Sequence, residues 1–278
     1  MLTQNKRGDE LISVVLGGKP QVKGAVFGVE IEFELRGELR GVDGSPISLK
    51  HWRKEAEGSV QNGLELVSAP LAINDMNREL DKIAKVMNEN NRVIDLVDSP
   101  RAGVHIHVNM QDKTWRQLTI SALIYYILEN ALVENCGKDR EGNLFCLRLS
   151  DASGIKERLQ YLPDQYQLMN SNGNLRYSAL NFDSLFNFGT LEWRPLRTPV
   201  DFREIKPWLE AMNRIFREEH FDNPYHMMET VSADGPIAFA RKVLGPQFSL
   251  IERNKNLVNQ IQQGVWDVQD VVFMKQWS

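Results

Sequence analysis

Residues 24–36 carry three glutamates at alternating positions, Glu30, Glu32 and Glu34, with apolar residues between them. A β-strand with this pattern buries one face and lines up three carboxylates on the other. Carboxylates at this spacing, roughly 6.5 to 7 Å apart, repel one another unless a cation lies between them, and Mg²⁺ prefers carboxylate oxygens. The stretch therefore predicts part of a metal site, although an ordinary sheet with one wet face shows the same alternation.

A second stretch, residues 103–110, repeats the pattern with His105, His107 and Asn109 on the polar face. Two imidazoles on one strand face can supply a metal ligand and a hydrogen-bond donor to an anion. The alternative is that both histidines hydrogen-bond to nearby loops. We expect at least one of them to be a ligand.

Two further segments add charged groups to the same hypothesis. In a predicted strand that ends at Pro70, Glu65 is on one face and Leu64 and Leu66 are on the other. Glu65 could be a further carboxylate ligand of the same metal site. In residues 188–195, Glu192 can complete an oxygen-rich shell and Arg194 offers a fork of donors for phosphate oxygens. An ordinary ion pair between neighbouring side chains is the alternative for these two residues.

The elements that must position these residues follow from hydrophobic periodicity and turn residues. Helices with an apolar stripe are predicted at 74–90, 114–135 and 201–219. Asn74 and Asp201 are the predicted N-caps of the first and the last. Pro and Gly residues divide the C-terminal third into helical pieces, and residues 183–187 are predicted to form a turn. The predicted helices are 8–16, 74–90, 114–135, 154–161 and 201–219, and the predicted strands are 24–36, 64–70, 103–110, 176–182 and 188–195.

Composition limits the class of protein. The chain has 278 residues, 42% hydrophobic and 25% charged, which is typical of an ordinary soluble protein with a substantial core, as one large domain or two small ones. A net charge of -4 gives no electrostatic reason to expect nucleic acid or a membrane as partner. The two cysteines, Cys136 and Cys146, form no metal or redox motif, and the N-terminus has no signal-peptide pattern. We expect a cytoplasmic protein whose oligomeric state the sequence does not indicate.

The ordered motifs resemble those of the amidoligase family of carboxylate-amine ligases, which is related to glutamine synthetase and glutamate-cysteine ligase. They are G-V-E-I-E-F, E-G-S-V, L-E-L-V-S-A-P-L, G-V-H-I-H-V, L-N-F and G-T-L-E-W-R-P, and they cover about residues 25–220. The resemblance implies an α+β fold: a curved antiparallel sheet of the glutamine synthetase catalytic-domain type, with helices on its outer face. It implies one catalytic domain over 1–278, with a helical extension from about 221.

The resemblance also implies roles for individual residues. Arg176 and Arg194 would stabilise the transferred phosphoryl group, Glu57 or Glu34 would deprotonate the amine, and His107, Asn181 and Arg194 would bind the nucleotide. Two departures from the family pattern are Glu57, where Asp is more common, and Ala69, where a second proline is usual. The implied metal ligands are Glu30, Glu32, Glu65, His105 and Glu192.

The function implied by these residues is an ATP- and Mg²⁺-dependent ligase, with Mn²⁺ as an alternative metal. It would join a carboxylate, such as that of a glutamate-like compound, to an amine through an acyl phosphate. The substrates would be small molecules or peptides. A metal-dependent hydrolase or phosphotransferase could use the same side chains, and an inactive binding protein could retain the fold.

Overall fold

A computed structural model describes most of the chain, and its elements are a mixture of strands and helices. The described residues are 7–17, 22–36, 39–58, 63–90, 95–137, 140, 143–144, 146–151, 153–160, 177–217 and 219–274. The strands are β1 (Val26–Arg36), β2 (Trp52–Glu57), β3 (Gly63–Ser68), β4 (Leu71–Ala72), β5 (Asp95–Val97), β6 (Gly103–Asn109), β7 (Leu180–Asn181) and β8 (Thr190–Arg197). The α-helices are α1 (Ile12–Val15), α2 (Ile73–Glu89), α3 (Trp115–Val133), α4 (Ser153–Gln160), α5 (Asp183–Phe188), α6 (Lys206–Arg217), α7 (Pro224–Asp234), α8 (Pro236–Leu244) and α9 (Leu257–Met274).

The eight strands form one antiparallel sheet in the order β2-β3-β1-β6-β8-β7, and the short strands β4 and β5 also pair with β1. Along β1, buried residues alternate with partly exposed ones, and the glutamates occupy the partly exposed positions. This confirms the predicted strand and its two faces. The mixed α+β class is also confirmed.

Helices cover the apolar face of the sheet. Trp193 of β8 stacks on Trp208 of α6 with ring centroids 5.3 Å apart, and Phe33 of β1 lies 6.0 Å from Phe202, just before α6. Helix α3 begins at a capping box in which Thr114 accepts from Gln117, as favoured at a helix start. The core therefore lies between the helices and one face of the sheet, which leaves the polar face open.

Two local predictions were wrong, and one strand was not predicted. Residues 183–187 belong to helix α5, which ends at Gly189 with a φ of 73° in the left-handed region, because Leu185 packs into the core. Strand β2 was not predicted, since four of its six residues are charged and no apolar alternation marks it. Helix α2 begins one residue before Asn74 and Ala72 occupies its N-cap, so Asn74 is no cap.

None of the helices that the structure describes is both long enough and apolar enough to cross a membrane.

Candidate active site

The register of the sheet places the predicted site residues in adjacent rows on its polar face. Asn181 of β7 lies opposite Glu192 of β8, which lies opposite His107 of β6. In the next row His105 lies opposite Glu30, and Glu65 of β3 lies opposite Glu32 of β1. Because directly opposed residues share a face, four strands present their acidic and imidazole groups to one place.

A bulge in β8 brings Arg194 into this group. One residue lies between Val104 and Ile106, whereas two lie between their partners Leu196 and Trp193, so β8 carries one extra residue. The bulge falls at Arg194 and Pro195, and a proline, which lacks the N–H for a ladder bond, is tolerated there. The Arg194 guanidinium lies 3.5 Å from His105 Nδ1 and forms an ion pair with Glu192.

Glu30 is the centre of the cluster. Its two carboxylate oxygens lie 3.2 Å from His105 Nδ1 and 3.3 Å from His107 Nε2. Burial alone would raise the pKa of the Glu30 carboxyl, but the adjacent imidazoles hold that pKa far below its ordinary range. Glu30 is therefore a carboxylate at neutral pH.

Glu192 is held from several sides. Asn181 Nδ2 donates to it at 2.8 Å and the Ser184 hydroxyl also donates to it. Burial would raise the pKa of Glu192, but the charge of Arg194 and of the two histidines lowers it overall. The side chain is thus an oriented carboxylate, and Asn181 holds it in place.

His107 is arranged as a metal ligand usually is. Its Nδ1 lies 3.1 Å from Thr190 Oγ1, while its buried Nε2 lies 3.3 Å from Glu30 and has no other partner among the described residues. A ring whose Nδ1 is held by a second group presents Nε2 to a cation. Burial lowers the pKa of His107, but Glu30 and Glu192 raise it overall, so the acidic groups attract positive charge to this atom.

Two sets of three side chains have ligand atoms close enough to share an ion. Glu30, His107 and Glu192 form one set and Glu30, Glu65 and His105 form the other, with the atoms of each set within 4.8 Å of one another. Carboxylate oxygens with one imidazole nitrogen suit Mg²⁺ or Mn²⁺. The donor set therefore fits the implied metal, and Glu30 belongs to both sets.

Glu32 lies beside these sets and belongs to neither. One of its oxygens accepts from the backbone N–H of Gly103 at 3.1 Å, and the other lies 3.7 Å from His105 Nε2. It borders the cavity, and its predicted role as a ligand stays a prediction.

The cluster lines a cavity of about 560 Å³, which we call the acidic cavity. Eight residues singled out by the sequence line it: Glu30, Glu32, Glu65, His105, His107, Asn181, Glu192 and Arg194. Arg176 lies outside the described residues, as does the side chain of Glu57, whose backbone ends β2. Glu34 is on the same face of β1 but does not line the cavity.

Sequence reasoning missed several lining residues, among them Arg101, Arg140 and Ser184. Arg140 is only 2% exposed, donates to the backbone carbonyls of Ala102 and Leu196, and has no carboxylate partner among the described residues. A buried guanidinium without a counter-ion is expensive unless an anion approaches it. No periodic pattern surrounds Arg140 in the sequence, so nothing marked it.

Comparison with known proteins identifies the family of the chain. No curated protein is similar enough to match the chain. The family model described as "Putative amidoligase enzyme" matches residues 41–216, more than half of the chain. The match includes Glu65, both histidines, Glu192 and Arg194, while Glu30 precedes it. The chain therefore belongs to the family of putative amidoligase enzymes.

Proposed function

We propose that the protein is an ATP- and Mg²⁺-dependent carboxylate-amine ligase that forms an amide through an acyl phosphate. Family membership indicates an enzyme that makes amide bonds. The observation that carries the finer proposal is the pair of ligand sets that share Glu30. Two adjacent oxygen-rich metal sites beside arginines are what a nucleoside triphosphate and its divalent cations require.

The residues that would hold the metal are those of the two sets, with Glu32 at their border. Bound divalent cations would neutralise charge on the γ-phosphoryl group of ATP. Arg194, and on our inference Arg101 and Arg140, would bind phosphate oxygens, because guanidinium groups match them in geometry and charge. Arg176 is proposed for the same role from the family motif alone.

The reaction needs two steps. A carboxylate oxygen of the acid attacks the γ-phosphorus, ADP leaves, and an acyl phosphate forms. The amine then attacks the acyl carbon, phosphate leaves, and a carboxylate of the protein accepts the proton that the amine loses. Glu57 is proposed as this base, and Asn181 contributes by orienting Glu192, to which it donates.

The fold supports the same proposal. In the part of the chain that the structure describes, the sheet is antiparallel, its polar face holds the site and its apolar face is covered by helices. The resemblance to the glutamine synthetase type of catalytic domain implies the same organisation. We therefore extend the proposal to that fold type.

The test is an assay of ADP and phosphate release over pairs of acids and amines, with mass spectrometry of the product. We expect release that requires Mg²⁺, the acid and the amine together, and an amide in equal amount to ADP. Glu192→Gln should lower turnover at least about a hundredfold, because it removes a charged ligand of the proposed metal.

Exposed Glu89 on α2 offers the matched control, since Glu89→Gln makes the same chemical change at a residue that does not line the cavity. Phosphate release of equal rate without acid and amine would instead indicate a hydrolase. Wild-type turnover in Glu192→Gln would remove that residue from the chemistry.

A further inference from the structure

A second cavity of about 540 Å³ adjoins the acidic cavity. The two share four lining residues, which are Glu30, His107, Asn187 and Phe188. The remaining wall contains the apolar residues Leu16, Val22, Val26, Pro70 and Phe186. We call it the apolar cavity.

The change of character occurs along one strand. On the polar face of β1, Glu30 is preceded by Gly28 and then by Val26, so the row of carboxylates ends where the apolar cavity begins. Gly28 has no side chain to fill the floor, and a Cβ there would lie 3.4 Å from His107 Cβ. The strand therefore leaves open space directly beside the metal-binding groups.

The polar groups in the wall of the apolar cavity are mostly bonded within the protein. Ser68 Oγ accepts from Val29 N at 2.8 Å, Asn109 Nδ2 donates to two backbone carbonyls at 3.2 Å, and Thr190 is bonded to His107. Arg53 is the one lysine or arginine among the described lining residues, and Glu55 pairs with it. Apart from Glu30 and His107, which belong to the metal-ligand sets, no described residue of this wall requires a charged ligand.

Apart from His107 Nε2, one buried polar side-chain atom of this wall has no hydrogen-bond partner among the described residues. It is Oγ of Ser13 on α1, a residue that is 3% exposed. Its backbone N–H donates to Gln111 O. Because Gln111 follows the last residue of β6, Ser13 lies near the C-terminal end of the strand that carries His107. An unpaired buried hydroxyl suits a neutral hydrogen-bonding group on a ligand.

Phe188 stands where the two cavities meet. Its side chain is 65% exposed, and its ring lies edge-on to His107 with centroids 6.2 Å apart. An exposed aromatic ring at the entrance to an apolar cavity gains contact area when an apolar group packs on it.

We infer that the apolar cavity binds an uncharged, largely apolar side group of one of the two substrates that are condensed. This inference rests on the proposed function, and it names a substrate class other than the doubly charged, glutamate-like acid. The substrate's reacting group would lie at Glu30 and His107, and its side group would extend past Gly28 towards Ser13. Burial of such a group should tighten binding by about tenfold or more.

The nucleotide base is a poorer occupant for this cavity. A base is joined to the γ-phosphoryl group through a ribose and two further phosphates, whereas this cavity adjoins the reacting centre directly. Phosphates need cations, and the arginines that lack a described carboxylate partner, Arg101 and Arg140, line the acidic cavity instead. The triphosphate therefore fits the acidic side and the substrate side group fits the apolar side.

Calorimetric binding in the presence of ADP and Mg²⁺ tests the inference with matched probes. For the acid, 3-phenylpropanoate is compared with glutarate, and for the amine, phenethylamine is compared with 1,4-diaminobutane. We expect the phenyl compound of one pair to bind at least about tenfold more tightly than its charged counterpart. The pair that shows the difference identifies which substrate carries the apolar group.

Two variants and a control locate the effect. Val26→Asp places a charge in the apolar cavity and should weaken the phenyl probe at least tenfold, whereas Val14→Asp makes the same change on the exposed side of α1 and should not. Phe188→Ala, at an exposed position, should also weaken binding of the phenyl probe. It replaces Val26→Asp in the test if that variant does not fold. ADP affinity should stay the same in Val26→Asp and Val14→Asp, since neither position lines the acidic cavity.

Equal or tighter binding of both charged probes, or binding of no probe at millimolar concentration, would overturn the inference. So would competition between the phenyl probe and ADP, or equal losses in Val26→Asp and Val14→Asp. If the probe binds as expected but ATP turnover never depends on acid and amine, the ligase proposal fails while the apolar subsite stands.

Discussion

At the scale of single residues, the site depends most on Glu30. It is the one side chain common to both ligand sets, and its two oxygens reach both histidines. Glu34 provides a natural comparison, because it is the same residue type on the same strand face but lies outside the cavity. Two glutamates of one strand thus differ only in their neighbours.

Glu30→Gln should weaken Mn²⁺ binding by at least about tenfold, since loss of groups that merely orient metal ligands already weakens affinity by that much. Mn²⁺ is a suitable probe because its binding can be followed by electron paramagnetic resonance without any substrate. Glu34→Gln should bind Mn²⁺ as the wild type does. Equal losses in both variants would mean that total negative charge, and not a defined site, attracts the ion.

The sequence predicted the residues that regular strands carry and missed those that long-range packing brings in. His105, His107 and Glu192 were predictable because alternation fixes the face on which a side chain lies. Arg140 and Ser13 were not, since the first is buried against carbonyls of two distant segments and the second lies on a short helix. No local pattern encodes such contacts.

At the scale of elements, prediction succeeded where one face is buried and failed elsewhere. Strand β1 and helix α6 each bury one side, so their periods were readable. Strand β2 lies at the edge of the sheet with few apolar residues, and α5 is only six residues long. Short and edge elements depend on neighbours that the sequence does not identify.

Helix α3 is buried on nearly all sides, and this includes a glutamate. Glu129 is 2% exposed and accepts a hydrogen bond from Leu149 N at 2.7 Å. Burial raises the pKa of Glu129 to about 8, although contact with Leu149 and Tyr125 opposes the shift. Glu129 is therefore largely protonated in the folded protein at neutral pH.

This raised pKa makes stability depend on pH. Below the ordinary pKa of 4.5 the carboxyl is neutral in both folded and unfolded chains, and as pH rises towards 8 only the unfolded chain ionises. The contribution to the free energy of unfolding is therefore full below pH 4.5 and is lost by about pH 8. Glu129→Gln should become more stable relative to the wild type across that window, by a few kcal/mol.

Urea denaturation at pH 5 and pH 8 measures this difference. Glu252→Gln, at an exposed position, is the control and should show no such change between the two pH values. If Glu129→Gln and the wild type lose stability in parallel, the carboxyl must ionise within the fold.

At the scale of the whole molecule, the helices after residue 216 lie outside the region that the family model matches, yet they pack on the core. Helix α9 lies along α3, and Asn254 just before it donates to Ala131 O at 2.8 Å. Helix α3 in turn contacts α6, through Tyr125 and Phe216 with ring centroids 6.1 Å apart. The C-terminal helices are thus connected, through α3 and α6, to the layer that supports the site.

Helix α9 approaches α3 closely at Gly264. A Cβ there would lie 2.3 Å from Ile127 O and 2.6 Å from Ile127 Cα, both backbone atoms that cannot rotate away. In an exposed helix, Gly→Ala stabilises by roughly 1 kcal/mol. Here we expect the opposite sign: Gly264→Ala should lower the free energy of unfolding by about 1 to 3 kcal/mol, as overpacking does.

Thermal and urea unfolding, followed by circular dichroism and by tryptophan fluorescence, measure this change. Gln269→Ala, on the exposed side of the same helix, is the matched control and should be close to neutral. If α9 and the sheet form one cooperative unit, both signals should shift together in Gly264→Ala, because separation of the two helices uncovers α3. A shift in helix signal alone, with the sheet melting unchanged, would show that the C-terminal helices fold as a separate unit and leave the site without their support.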